Sequence, residues 1–139
     1  MTSSPISALS PLDGRYANKL NALRPLMSEQ GYMHRRVQVE IAWFMAMSDA
    51  GFAEFKPLSL GARRYLTGLV AHFSEQDALA IKDIEKTTNH DVKAVEYWLK
   101  DQCQAPGLSP QLQAEFAAAL EFIHFACTSE DINNTSHAL

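Results

Sequence analysis

The chain has 139 residues, 47% of them hydrophobic, which is the size of one domain with a buried core and excludes a disordered segment. Its net charge of −4 offers no basic field for nucleic-acid phosphates, and no apolar stretch reaches the length of a bilayer span. Cys103 and Cys127 lack zinc-knuckle or disulfide-framework spacing and the start lacks a signal-peptide pattern, so the chain reads as soluble and cytoplasmic with reduced thiols.

Residues 1–18 are rich in Ser, Pro, Asp and Gly, with a turn at Asp13-Gly14, and are expected to form an extended arm. From Ser28, the spacing of Met33, Val37, Ile41 and Phe44 predicts an amphipathic helix ending near Asp49-Ala50-Gly51, with Gly31 weakening its start. Pro57 and Ser59 open a second helix whose apolar face is Tyr65, Leu66, Leu69, Val70 and Phe73. Ser74-Glu75-Gln76-Asp77 is a capping box, from which Leu79, Ile81 and Ile84 carry a helix to Thr87. Val92, Val95, Tyr97, Trp98 and Leu99 continue past that point. After a loop, Ser109 and Pro110 are the N-cap and first residue of a helix running toward Phe125. A last helix should begin near Ser129, and it reaches Leu139 without a C-cap glycine, as an interrupted helix of a longer polypeptide would. No segment alternates with period two between turn signals, so the chain is expected to be all-α.

Two polar clusters stand out, Thr87-Thr88-Asn89-His90-Asp91 and Thr128-Ser129-Glu130-Asp131-Ile132-Asn133-Asn134. In each, a Thr precedes an Asp by three positions, Thr88 to Asp91 and Thr128 to Asp131, the spacing of a helix-starting capping box. Helix N-termini present free amides and positive dipole ends, so two of them suggest an anionic substrate, although ordinary capping accounts for either alone. Arg15 offers a planar fork for phosphate or carboxylate and Tyr16 a hydroxyl donor. His90 could donate to substrate or assist proton transfer, with Lys93 either solvated or adding charge to the same pocket. Thr128 and Ser129 would bind an oxyanion, and no Gly-x-Ser-x-Gly elbow makes either a nucleophile. His124 and His137 read as core or surface residues. Two rivals stand beside this reading: a noncatalytic helical interaction module, and a metal-dependent phosphohydrolase using His72, His90, Asp91 and Asp131.

The segments Ser10-Pro11-Leu12-Asp13-Gly14-Arg15-Tyr16, Thr87 to Tyr97 and Phe122 to Asn134 closely resemble, in order and spacing, the N-terminal region of adenylosuccinate lyases, within the fumarase/aspartase superfamily. The resemblance implies an arm (1–18), an all-α N-terminal domain (19–126), and a substrate-binding motif that begins the central helical domain (127–139), whose long-helix bundle is missing. It implies an enzyme that releases fumarate from adenylosuccinate, giving AMP, and from the succinylcarboxamide ribotide SAICAR, giving AICAR. It implies no metal and no cofactor, and a homotetramer with active sites shared among three subunits. By resemblance, Arg15 and Tyr16 hold the phosphate end, Asn89, His90 and Asp91 line the substrate pocket, and Thr128 and Ser129 bind the succinyl or fumarate moiety. The family's general-acid histidine and its serine base have no counterpart before Leu139, so no catalytic residue is expected within this chain beyond an assisting role for His90, and the isolated chain should be inactive.

Overall fold

In a computed structural model that describes residues 5–139, the helix α2 (Glu29–Asp49) is the axis against which most other elements pack. Ser28 starts it, its hydroxyl accepting the Gly31 amide, and Gly51 turns the chain away beyond its end at φ +86°. Met33, Val37, Ile41 and Phe44 recur at three- and four-residue spacing along α2 and are buried, as an amphipathic helix requires. Around this stripe lie α3 (Leu60–Ala71), α4 (Glu75–Thr88), α5 (Asp91–Cys103) and α6 (Pro110–Ala119). They contribute Ala62 and Leu66, Ile81, Val95 with Trp98 and Leu99, and Phe116 to one core. Each of the larger side chains stabilises the fold by roughly 1.5–3 kcal/mol on burial. Phe55 closes one end of that core, its ring 5.0 Å from Phe44 and 4.5 Å from Phe122. The expected N-caps Ser59, Ser74 and Ser109 are all formed, Ser74 with its full capping box, and no strand occurs among the described residues. The fold class is all-α, as the missing period-two pattern indicates.

Four local expectations are corrected. Residues 5–19 form tight turns and two short 3-10 segments, Pro5–Ser7 and Ala17–Lys19, not an extended run; Asp13 and Gly14 amides both donate to the Ser10 carbonyl. A short helix, α1 (Arg24–Met27), precedes α2, and Gly31 is what lets the two meet: a Cβ there would stand 2.5 Å from the Pro25 carbonyl oxygen. Thr88 makes no capping box with Asp91, because it is the last residue of α4; Asn89 ends that helix in the left-handed region at φ 50°, and His90 becomes the N-cap of α5. Finally, α6 stops at Ala119 and gives way to a 3-10 turn, Leu120–Phe122, followed by left-handed His124 (φ 63°) and Ala126 (φ 58°). That bent loop delivers the chain to α7 (Ser129–Ala138), where Thr128 and Asp131 form the expected capping box.

Candidate functional site

The N-termini of α5 and α7 meet beside α2, and the two polar clusters of the sequence are thereby brought together. His90 caps α5 through its ring: Nδ1 accepts the Lys93 amide at 3.2 Å. A ring nitrogen that accepts carries no proton, so the neutral imidazole holds its proton on Nε2. Nε2 faces the Ser129 hydroxyl at 3.5 Å and is the donor of that pair. His90 therefore cannot draw a proton from Ser129, and the two are not a nucleophile and its base. Both are placed to bind a third group lying over them.

Asp91 is turned inward. Its Oδ2 takes Arg36 Nη2 at 2.5 Å, and its Oδ1 takes the Val92 amide at 2.8 Å. Partial burial pushes this carboxyl up, but the Val92 amide and the Arg36 guanidinium outweigh it and hold it below the usual carboxylate value. Arg36 also donates from Nε to Asn133 Oδ1 at 2.9 Å, and lies over the Tyr32 ring, 4.2 Å from its centre. One buried guanidinium thus ties the first turn of α5 to the body of α7.

At the α7 end, Asp131 Oδ2 accepts both the backbone amide and the hydroxyl of Thr128, at 2.7 and 2.9 Å. These bonds lower the Asp131 pKa. The Asp131 amide returns to the Thr128 hydroxyl at 3.4 Å. Ser129 is the first residue of the helix and takes no part in the cap. The amides of Ser129 and Glu130, and that of Asp91 across the junction, have no acceptor among the described residues. Free amides at two adjoining helix ends, with the Ser129 hydroxyl and His90 Nε2, form a donor surface suited to a carboxylate or phosphate.

Other expected residues lie elsewhere or are engaged. Arg15 and Tyr16 are exposed and stacked on each other, 5.7 Å from guanidinium to ring centre, and neither hydrogen-bonds nor ion-pairs with the junction. Asn89 is exposed at the left-handed corner between α4 and α5. Lys93 is paired with Glu96 at 2.8 Å, which raises its pKa. His72 ends α3, and His137 stacks on Tyr32 at 4.4 Å between ring centres. The four residues of the metal-hydrolase rival do not converge. Among the described residues the ligand atoms that do are those of Glu40, His124 and Cys127, all within 4.8 Å of one another. A cavity of about 640 Å³ lies between α2 and α7, lined by Val39, Ala42, Trp43 and Ile132 and also by Cys127 and Asp131, and His90 is not among its lining residues. No helix among the described residues is long and apolar enough to cross a membrane.

Arg36 and Glu40 are buried charged residues behind the two helix ends that the sequence reading did not single out. They stand one turn apart on α2, 6% and 0% exposed; Arg36 bonds Asp91 of α5 and Asn133 of α7, and Glu40 bonds His124 in the loop before α7. A signal was present: around α2 Glu40 falls between buried Met33 and Met47, and Arg36 at the edge of that apolar arc, where charged side chains are tolerated only when paired.

A family profile described as lyase matches residues 14–139. The chain is 53% identical over 140 residues to an adenylosuccinate lyase of Haemophilus influenzae, covering 100% of this chain and 29% of that protein. It is 51% identical to the adenylosuccinate lyases of Vibrio cholerae, over 140 residues, and of Escherichia coli K12, over 141, again covering 100% of this chain and 29% of each. The chain therefore spans under a third of the length of these relatives. An all-helical fold, two polar helix ends facing each other, and a profile match through nearly every described residue agree: the chain belongs to the lyase family.

Proposed function

We propose that the chain is the N-terminal part of an adenylosuccinate lyase, and that the donor surface between α5 and α7 holds the succinyl carboxylates while fumarate is eliminated. The observation that carries the reading is the pairing of His90 with Ser129 across two helix ends whose amides are free, in a chain 53% identical to an enzyme of that name. Elimination requires a base to remove a proton from a succinyl carbon; the adjoining carboxylate carries the developing charge until the C–N bond at the next carbon breaks, the double bond of fumarate forms and an acid protonates the departing nitrogen. Donors fixed beforehand at that carboxylate stabilise the transition state more than the ground state. Ser129 and the amides of Ser129 and Glu130 have this role, with His90 Nε2 ordering or polarising the same group and Asn89 and Asp91 lining the pocket beside it. Arg15 and Tyr16 hold the nucleotide phosphate. The general acid and the base lie outside the 139 residues. The substrates are adenylosuccinate and SAICAR, and the working enzyme is a cytoplasmic homotetramer.

The full-length protein should convert adenylosuccinate to AMP and fumarate, followed by absorbance. Ser129→Ala should lower kcat/KM by about 10²-fold, the scale of one lost oxyanion donor, with little change in stability because Thr128 and Asp131 still cap the helix. Wild-type kinetics in that variant would remove Ser129 from the site. Absence of turnover in the full-length protein would remove the lyase reading and restore the interaction module.

A further inference from the structure

The loop that carries the chain into α7 is bent in a way its own residues do not favour. His124 and Ala126, neither of them glycine, both occupy the left-handed region, a conformation that persists only when the surroundings impose it. α2 imposes it at two points. Trp43 Nε1 donates to the Phe125 carbonyl at 2.7 Å, and one turn earlier Glu40 Oε1 meets His124 Nδ1 at 2.6 Å. Glu40 is fully buried, and its other oxygen, Oε2, has no hydrogen-bond partner. A buried carboxylate held by one partner is a costly arrangement, and it places a negative charge under the loop at the cost of packing.

Glu40, His124 and Cys127 have the donor set of a metal site, but the geometry is that of a hydrogen bond. Two nitrogen or oxygen ligands on one tetrahedral zinc ion stand about 3.3 Å apart. At 2.6 Å the Glu40–His124 pair is instead a charge-assisted bond. Cys127 Sγ lies 3.6 Å from His124 Nδ1, and its thiol donates to the His124 carbonyl at 3.3 Å.

We propose that Glu40 and His124 are positioning residues of the lyase site, a buried clamp that fixes the left-handed loop and so aims the amides and hydroxyl at the N-terminus of α7. Neither touches substrate. The proposal rests on the assignment of Ser129 to the substrate, since a clamp on an idle helix end would affect stability alone.

The test is a double-mutant cycle in the full-length enzyme, with Glu40→Gln, Ser129→Ala and their combination, beside hydrogen exchange of the segment 123–131. Glu40→Gln keeps the shape and removes the charge. It should speed exchange of the hydrogen-bonded Phe125, Thr128 and Asp131 amides at least five-fold while leaving the α3 and α4 amides unchanged. It should lower kcat/KM at least ten-fold, with kcat falling more than KM rises, and in the Ser129→Ala background it should cost less than three-fold. Equal costs in both backgrounds, or unchanged exchange in the loop, would overturn the clamp, as would faster exchange throughout the domain. If the wild-type enzyme leaves adenylosuccinate untouched, the lyase reading falls, and the exchange measurement separately decides whether Glu40 holds the loop.

Discussion

His90 shows how one side chain can serve structure and chemistry through different atoms. Nδ1 is committed to the Lys93 amide, while Nε2 is left facing Ser129. The two roles can be separated by substitution. Asn is among the best N-cap residues, so His90→Asn should keep the α5 cap and leave stability within about 0.5 kcal/mol of wild type. His90→Ala loses the cap and should cost about 0.5–2 kcal/mol. Both remove Nε2, so both should slow the full-length enzyme to a similar extent. Urea midpoints beside steady-state kinetics read the two effects, and an Asn variant with wild-type kinetics would leave His90 with capping alone. Arg36 presents the opposite case, since its single guanidinium serves Asp91 and Asn133 together and offers no substitution that separates them.

At the scale of elements, the helices were legible where a Ser or Thr cap and an apolar stripe coincide. Ser28, Ser59, Ser74, Ser109 and Thr128 each start a helix where the sequence places one. The corners were not legible. Left-handed Asn89, His124 and Ala126 carry no glycine or proline to announce a turn, because tertiary contacts such as Glu40 to His124 hold them. The candidate site was read from its two clusters, but the α2 residues that hold those clusters together are remote in sequence, and only packing brings them near. The loop clamp has a pH signature. The hydrogen bond to Glu40, opposed by partial burial, raises the His124 pKa above its ordinary 6.5. A raised value means that folding favours the protonated ring, so this contribution is complete below pH 6.5 and disappears as pH rises through the folded value. The stability gap between wild type and Glu40→Gln should therefore be widest below that pH and shrink on the alkaline side. Urea midpoints of both proteins across this range measure it, and a gap that widened with pH would show that His124 is not held in its protonated form.

The molecule as a whole buries one continuous core, while Ile6, Leu9 and Leu12 of its N-terminal turns stay exposed. Folding and turnover should therefore come apart in the 139-residue chain. The apolar stripes of α2 to α6 close on each other without outside help, so the isolated chain should be helical and melt in a single cooperative transition. Its candidate site, by contrast, is built mainly of donors. His90 keeps its proton on the atom that faces Ser129, Asp91 is bound to Arg36, and Asp131 is bound to its own cap. These three groups are each already committed to holding a helix end, and Glu130 is the carboxylate of the junction with no side-chain partner among the described residues. Circular dichroism through a thermal ramp, beside an absorbance assay with adenylosuccinate, separates the two properties in one preparation. A folded chain with no measurable turnover is the expected result. Turnover by the short chain that His90→Asn abolishes would place the base at this junction, and the distribution of roles between α5, α7 and the rest of the protein would have to be redrawn.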